Sequence, residues 1–347
     1  MEVRTGDSDY FTFSAENSRC PLERYGKIGV LMGGPSAERE ISLKSGKAVF
    51  TALTALGLDA LPIDIRTDEV KENIGRITSS KINCAFIALH GRFGEDGQIQ
   101  GILDILNIAY TGSGALASKL SMDKVSSKQV LEIHGLTVPR YKVVDKFSYN
   151  PNWKLYTKLE FPVVVKPANG GSSIGLSIVD SRENLDQAVK AAFNFDQKLI
   201  IEEYIPGREV TVGILEEKAL AVIEIIPKKR FFDYEAKYSA GMTDYVVPAQ
   251  IEETVAKNLQ SVALYVHKSL GCFGYSRVDI MLGEDNRAYV LELNSIPGLT
   301  PTSLLPKAAK SMGIDFAQLC LKMMNTAYAK RKKQNNLHIP RSKKFNT

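Results

Sequence analysis

Two runs near the end of the chain, Gly274-Tyr-Ser-Arg277-Val-Asp279-Ile-Met-Leu and Ala288-Tyr-Val-Leu-Glu292-Leu-Asn294, alternate apolar and polar residues around the turn-like Gly283-Glu-Asp-Asn286. This pattern predicts an antiparallel hairpin with one buried face. Pairing Gly283 with Ala288 sets Asp279 opposite Glu292 and Arg277 opposite Asn294. Because side chains two apart on a strand share a face, the four polar groups converge, leaving Val278, Ile280, Leu291 and Leu293 to bury the other side. Two carboxylates and an amide oxygen, with no thiolate or imidazole, suit a hard cation such as Mg²⁺ shared with phosphates. Arg277 then stands where developing negative charge needs stabilising. The plainer alternative is a cross-strand salt bridge on a solvated face.

Upstream, Lys27-Ile-Gly-Val-Leu-Met-Gly-Gly34 reads as a strand and glycine turn. A helix should follow, N-capped by Ser36, with Ile41, Ser45, Ala48, Ala52 and Ala55 on one stripe. Apolar runs at Ala60–Ile65 and Ile82–Leu89 alternate with helical segments, the pattern of an open parallel sheet that presents ligands at its strand ends. Two loops there, Gly33-Gly-Pro-Ser-Ala-Glu38 and His90-Gly-Arg-Phe-Gly-Glu-Asp-Gly97, carry ionisable groups. A helix over Asp123–His134 leads to the Val-rich strand ending at Lys166, the loop Ala168-Asn-Gly-Gly-Ser-Ser-Ile-Gly175 and a further strand over Lys198–Tyr204. Lys166, the loop amides and the Ser172 and Ser173 hydroxyls form a candidate phosphate cradle, although the order of a Walker A loop is absent. Residues 227–248 show neither helical nor strand period, which marks a functional lid or an unstructured segment.

The expected organisation is an extension over residues 1–24, an open-sheet α/β domain over 25–122, a central unit over 123–210, a C-terminal unit over 211–329 and a basic tail over 330–347. Charge follows the same division. The formal +5 is created by seven basic residues from Lys330 onward with no acid among them, so the body before it is slightly negative and nucleic acid is not the expected partner. No run approaches the roughly 18 apolar residues of a membrane span. Residues 1–24 lack the apolar core of a signal peptide, and Cys20, Cys84, Cys272 and Cys320 are scattered, so a reducing cytoplasm is expected. Gly112-Ser-Gly114-Ala-Leu-Ala117 fits a dinucleotide-binding pattern, but its preceding strand is interrupted, no ribose-binding acid follows at the right spacing, and a turn before a short helix is the better reading.

Taken in order, Gly33-Gly-Pro-Ser-Ala-Glu-Arg-Glu, Ala88-Leu-His-Gly-Arg, Gly94-Glu-Asp-Gly, Ser121-Met-Asp-Lys, Val165-Lys-Pro, Gly171-Ser-Ser-Ile-Gly, Asp233-Tyr-Glu-Ala-Lys-Tyr238, Arg277-Val-Asp and Glu292-Leu-Asn-Ser-Ile-Pro-Gly298 resemble motifs of the D-alanine–D-alanine ligases. The likeness to this ATP-grasp family runs from about Lys27 to Leu321. It implies an α/β (α+β) ATP-grasp fold behind a Rossmann-like N-terminal domain, and condensation of two D-alanines through an acyl phosphate for peptidoglycan synthesis.

By the same resemblance, Lys124 and Lys166 would hold ATP phosphates, Glu202, Glu203, Ile205 and Glu209 would bound the adenosine pocket, and Asp279, Glu292 and Asn294 would bind two Mg²⁺ or Mn²⁺ ions. Glu203 departs from the family, where many relatives carry Lys. Glu38 would take the ammonium of the first D-alanine near His90, while Ser303 and Leu304 would hold the carboxylate of the second. Arg277 and the Gly298 amide would stabilise the oxyanion. Ser172 and Tyr238 would tie Glu38 to the 227–248 loop, with Lys237 at the substrate, and that Tyr-containing loop favours the dipeptide over a D-lactate product. The family also implies a homodimer with no nucleic-acid or membrane partner. Other carboxylate–amine pairs and a silent ATP-binding protein remain as alternatives.

Overall fold

The computed structural model describes residues 25–151, 159–228 and 242–336. Its first sheet is parallel throughout, in the order β2-β1-β3-β4, from β1 (Ile28–Gly33), β2 (Ala60–Ile65), β3 (Cys84–Ile87) and β4 (Ala109–Tyr110). Every residue of β1 is buried, as a strand covered on both faces requires. Gly33 and Gly34, at φ +88° and +90°, turn the chain into a left-handed conformation that a side chain would strain.

The following helix, α1 (Arg39–Ala55), starts later than expected, with Glu38 rather than Ser36 at its N-cap. Ser36 is used otherwise: its hydroxyl accepts from the Glu38 amide and donates to the His90 carbonyl, stapling the two loops together. The buried stripe is also rotated. Ser42, Ser45, Val49, Ala52 and Leu53 face inward, while Ala55 is exposed and Ile41 and Ala48 are only half-buried. The cause is a second neighbour. The last helix, α9 (Phe316–Asn336), packs against α1, so one apolar cluster joins Ile28, Val49 and Leu53 to Leu319, Met323 and Met324. Truncating the fully buried Leu53 to alanine should cost about 2–5 kcal/mol. Urea unfolding measures this; a loss well under 1 kcal/mol would mean the junction is loosely packed.

The central unit contains α5 (Lys124–Ile133), N-capped by the Asp123 carboxylate, which accepts from the amides of Val125 and Ser126. Its antiparallel sheet has the order β5-β8-β6-β7, from β5 (Tyr141–Asp145), β6 (Val163–Pro167), β7 (Ser177–Val179) and β8 (Lys198–Glu203).

The third sheet is antiparallel in the order β11-β10-β9-β12-β13, from β9 (Gly207–Leu215), β10 (Lys218–Pro227), β11 (Thr243–Val246), β12 (Tyr275–Gly283) and β13 (Ala288–Asn294). Strand β9 is continuous across position 210, so this unit begins at Gly207 in structural terms. Both ends of the 227–248 segment also differ from expectation: Pro227 closes β10, and Thr243–Val246 forms an edge strand pairing back onto it. An edge strand paired on one side needs no strong alternation, which is why sequence pattern missed it.

The β12–β13 hairpin carries a correction. Gly283 does not face Ala288; the turn closes with Gly283 N donating to Arg287 O, and Leu282 pairs with Ala288. A β-bulge between Asp279 and Ile280 then shifts the register by one, so Asp279 still faces Glu292 and Arg277 faces Asn294. The polar pairs were predicted correctly from a turn that was predicted wrongly.

Candidate active site

The central and C-terminal sheets enclose a slot whose walls are apolar, from Val164 on β6, Ile178 on β7, and Met281 and Leu291 on the hairpin. Leu291, expected to bury the far face of the hairpin, lines this slot beside Glu292 because the extra residue of the bulge breaks the alternation. An apolar slot with polar groups only at its ends is the usual form of a small-molecule site.

One end is set by Glu202 on β8. Its carboxylate is buried between two ammonium groups, with Lys166 Nζ 2.5 Å from Oε1 and Lys128 Nζ 2.9 Å from Oε2. Burial pushes the Glu202 pKa up, but the charges of Lys128 and Lys166 outweigh it and hold the group below its ordinary value. Glu203, Ile205 and Glu209 line the same slot. The Glu203 carboxylate is engaged by Arg140, whose backbone amide and Nε donate to its two oxygens at 2.9 and 2.6 Å.

At the other end Lys124 Nζ donates to the Gly170 carbonyl at 2.6 Å and lies 3.3 Å from Glu292. Asp279 is held by four contacts. Arg277 donates to both its oxygens at 2.8 and 2.7 Å, the Asn294 amide donates to Oδ2 at 3.0 Å, and Thr211 Oγ1 lies 2.6 Å from Oδ1. The sequence-predicted polar patch is therefore one cluster.

A second, more polar cavity begins where that cluster ends. It is bounded by Glu38, His90 and Lys44 of the first domain, by Ser172, and by Arg277, Asn294, Gly298, Ser303 and Leu304 of the third. Ser172 donates to the Glu38 carboxylate across 134 positions of sequence, from a loop in which Ser172 and Ser173 both adopt left-handed φ. His90 contacts Ser45 at 2.9 Å and Glu95 at 3.4 Å, and the Leu299 amide donates to the same Ser45 hydroxyl. Burial raises the Glu95 pKa against the opposing hydrogen bond from His90, and the nearby Glu38 charge raises it further. Ser303 Oγ is fixed by Thr300 at the start of α8 (Leu304–Ser311), where Pro306 leaves only Leu304 and Leu305 with amides in the first turn.

Every expected site residue within the described chain thus falls on one of two adjoining cavities. Tyr238 and Lys237 lie outside the described residues. Sequence reading missed Ser45, Glu95, Thr211 and Lys128. None of the four carries a local signal; Lys128 shares a helical face with Lys124 four residues earlier, but its burial against Glu202 is visible only in the fold. Gly114 is the N-cap of α4 (Ala115–Met122), the ordinary turn before a helix, and carries no further dinucleotide signature.

The family profiles described as D-ala D-ala ligase C-terminus and N-terminus match residues 130–325 and 66–113. D-alanine–D-alanine ligases of Geotalea uraniireducens and Geobacter sulfurreducens are 48% and 44% identical over 306 residues each, covering 88% of this chain and 96% and 95% of theirs. The chain belongs to the D-alanine–D-alanine ligase family. Among solved structures, the Bacillus anthracis D-alanine–D-alanine ligase complexed with ATP aligns with a TM-score of 0.78 at 36% identity, covering 89% of this chain and 98% of that one. VanG D-Ala:D-Ser ligase from Enterococcus faecalis aligns at 0.75 with 31% identity, covering 87% and 99%. The architecture is accordingly the ATP-grasp fold behind an open parallel sheet. Among the described residues, no helix is long and apolar enough to cross a membrane.

Proposed function

We propose that the chain joins two D-alanine molecules with hydrolysis of ATP to ADP and phosphate, supplying the dipeptide for peptidoglycan in the cytoplasm. The observation that carries this reading is the meeting of an apolar-walled slot and a more polar cavity at one charged cluster, Arg277, Asp279, Glu292 and Asn294. A phosphoryl group transferred between two bound molecules must lie at such a junction.

Adenosine occupies the slot against Glu202, Glu203, Ile205 and Glu209, with Lys124 and Lys166 toward the phosphates. Asp279, Glu292 and Asn294 supply oxygen donors only, once the Asn294 amide turns its oxygen inward, and this set fits two Mg²⁺ or Mn²⁺ ions. Bound there, such ions neutralise phosphate charge. Glu38 receives the ammonium of the first D-alanine beside His90. The carboxylate of that molecule attacks the γ-phosphate, and the amine of the second, held by its carboxylate at Ser303 and Leu304, displaces phosphate from the acyl phosphate. Arg277 and the Gly298 amide meet the oxyanion of the tetrahedral intermediate. Ser172 donates to Glu38, and by the family's pattern Tyr238 and Lys237 would belong to a loop that shields the acyl phosphate from water. The active species is a homodimer.

Phosphate release from ATP, with D-alanine, L-alanine and D-lactate offered singly and in pairs, tests this reading. D-alanine alone should support turnover at the highest rate. Turnover that ignores D-alanine, or that requires D-lactate as the second substrate, overturns it.

A further inference from the structure

We propose that Lys128 is a positioning residue for nucleotide binding, the buried counter-ion of Glu202 that frees Lys166 to leave that carboxylate for the phosphates. The inference rests on the placement of ATP phosphates at Lys166 given above.

The two lysines that flank Glu202 differ in access. Lys166 lines the slot, whereas Lys128 is fully buried behind it on α5 and does not reach the cavity. Lys128 therefore acts only through Glu202. The groups around it are Glu202 from β8, Lys166 from β6, the Tyr141 ring 5.4 Å away on β5, and Glu132 one turn further along its own helix, itself hydrogen-bonded by the Tyr141 hydroxyl; the 2.9 Å approach of Lys128 Nζ to Glu202 is an ion pair without hydrogen-bond geometry.

A buried carboxylate stripped of its only cation is strongly disfavoured. Glu202 has two, and one is enough. When Lys166 swings to a phosphate, Glu202 keeps Lys128, so the move strands no charge. Without Lys128, Lys166 would be the sole partner and would be held in place. Burial, opposed by the charge of Glu202, lowers the Lys128 pKa to about 8. Raising the pH through that value discharges Lys128 and should tie Lys166 more firmly to Glu202.

Calorimetric binding of the non-hydrolysable analogue AMP-PNP with Mg²⁺, paired with steady-state kinetics, tests this. Lys128→Met should raise the analogue Kd and the ATP KM roughly tenfold, with kcat at saturating ATP within about twofold. Lys166→Met should weaken binding strongly in the wild type and much less in the Lys128→Met background, where Lys166 is already sequestered. For the wild type, Kd should rise as pH passes from 7 to 9, while Lys128→Met should be flat over that range; this profile needs no variant that folds poorly. A Lys128→Met protein with lowered thermal stability but unchanged Kd, additive losses in the double variant, or a flat wild-type profile would each overturn the proposal. If Lys166→Met binds the analogue as the wild type does, the phosphate placement itself fails, and the role of Lys128 fails with it.

Discussion

Glu292→Ala should lose turnover by about 10³-fold or more while retaining the fold, because the carboxylate supplies several kcal/mol to charge stabilisation at the reacting phosphate. The folding side of this expectation follows from position. Glu292 is partly buried at the cavity wall, with 22% of its side chain exposed, and the apolar face of its strand is made by other residues, Val290 and Leu293. Lys124, which lies 3.3 Å from Glu292, keeps its hydrogen bond to the Gly170 carbonyl. Circular dichroism and the thermal midpoint should change little. A variant that still turns over in proportion to Mg²⁺ would show that the hairpin cluster is a salt-bridge patch and nothing more.

Arg277→Met should separate two roles that meet on one side chain. The guanidinium is bound to both oxygens of Asp279, so its removal leaves that carboxylate to Thr211 and Asn294. Cation binding should therefore be preserved or improved. Catalysis should not: a charged donor aimed at a developing oxyanion is worth on the order of 10²–10³ in kcat. Titration of Mg²⁺ against rate at saturating D-alanine and ATP gives both quantities. An Mg²⁺ requirement that worsens in step with kcat would assign Arg277 to cation binding instead.

Sequence reading found the cluster behind both predictions through an assumption that was wrong at the turn. Alternation placed Asp279 and Glu292 on a common face, but the turn that sets the register is a residue tighter, with Asn286 at φ +60°. One bulge later the expected pairing returns. Such a bulge has no composition of its own, and Leu291 looks like any other strand leucine, so its place in the slot was invisible. The first sheet was legible because fully buried parallel strands read as continuous apolar runs. The start of α1 was not, since Ser36 serves the loop of His90, far away in sequence. Lys128 was hidden for a related reason: a lysine on a helix is ordinarily solvated, and only the tertiary fold shows Glu202 beside it.

The packing of α9 against α1 bears on the order in which this protein is made. Residues 25–122 are contiguous and contain a complete four-stranded sheet, yet the cluster holding Ile28, Val49 and Leu53 is finished by Leu319, Met323 and Met324. On the ribosome, this apolar face of the first domain stays open until residues 319–324 have been synthesised. The helix over residues 316–336 is therefore the closing piece of the first-made part of the molecule.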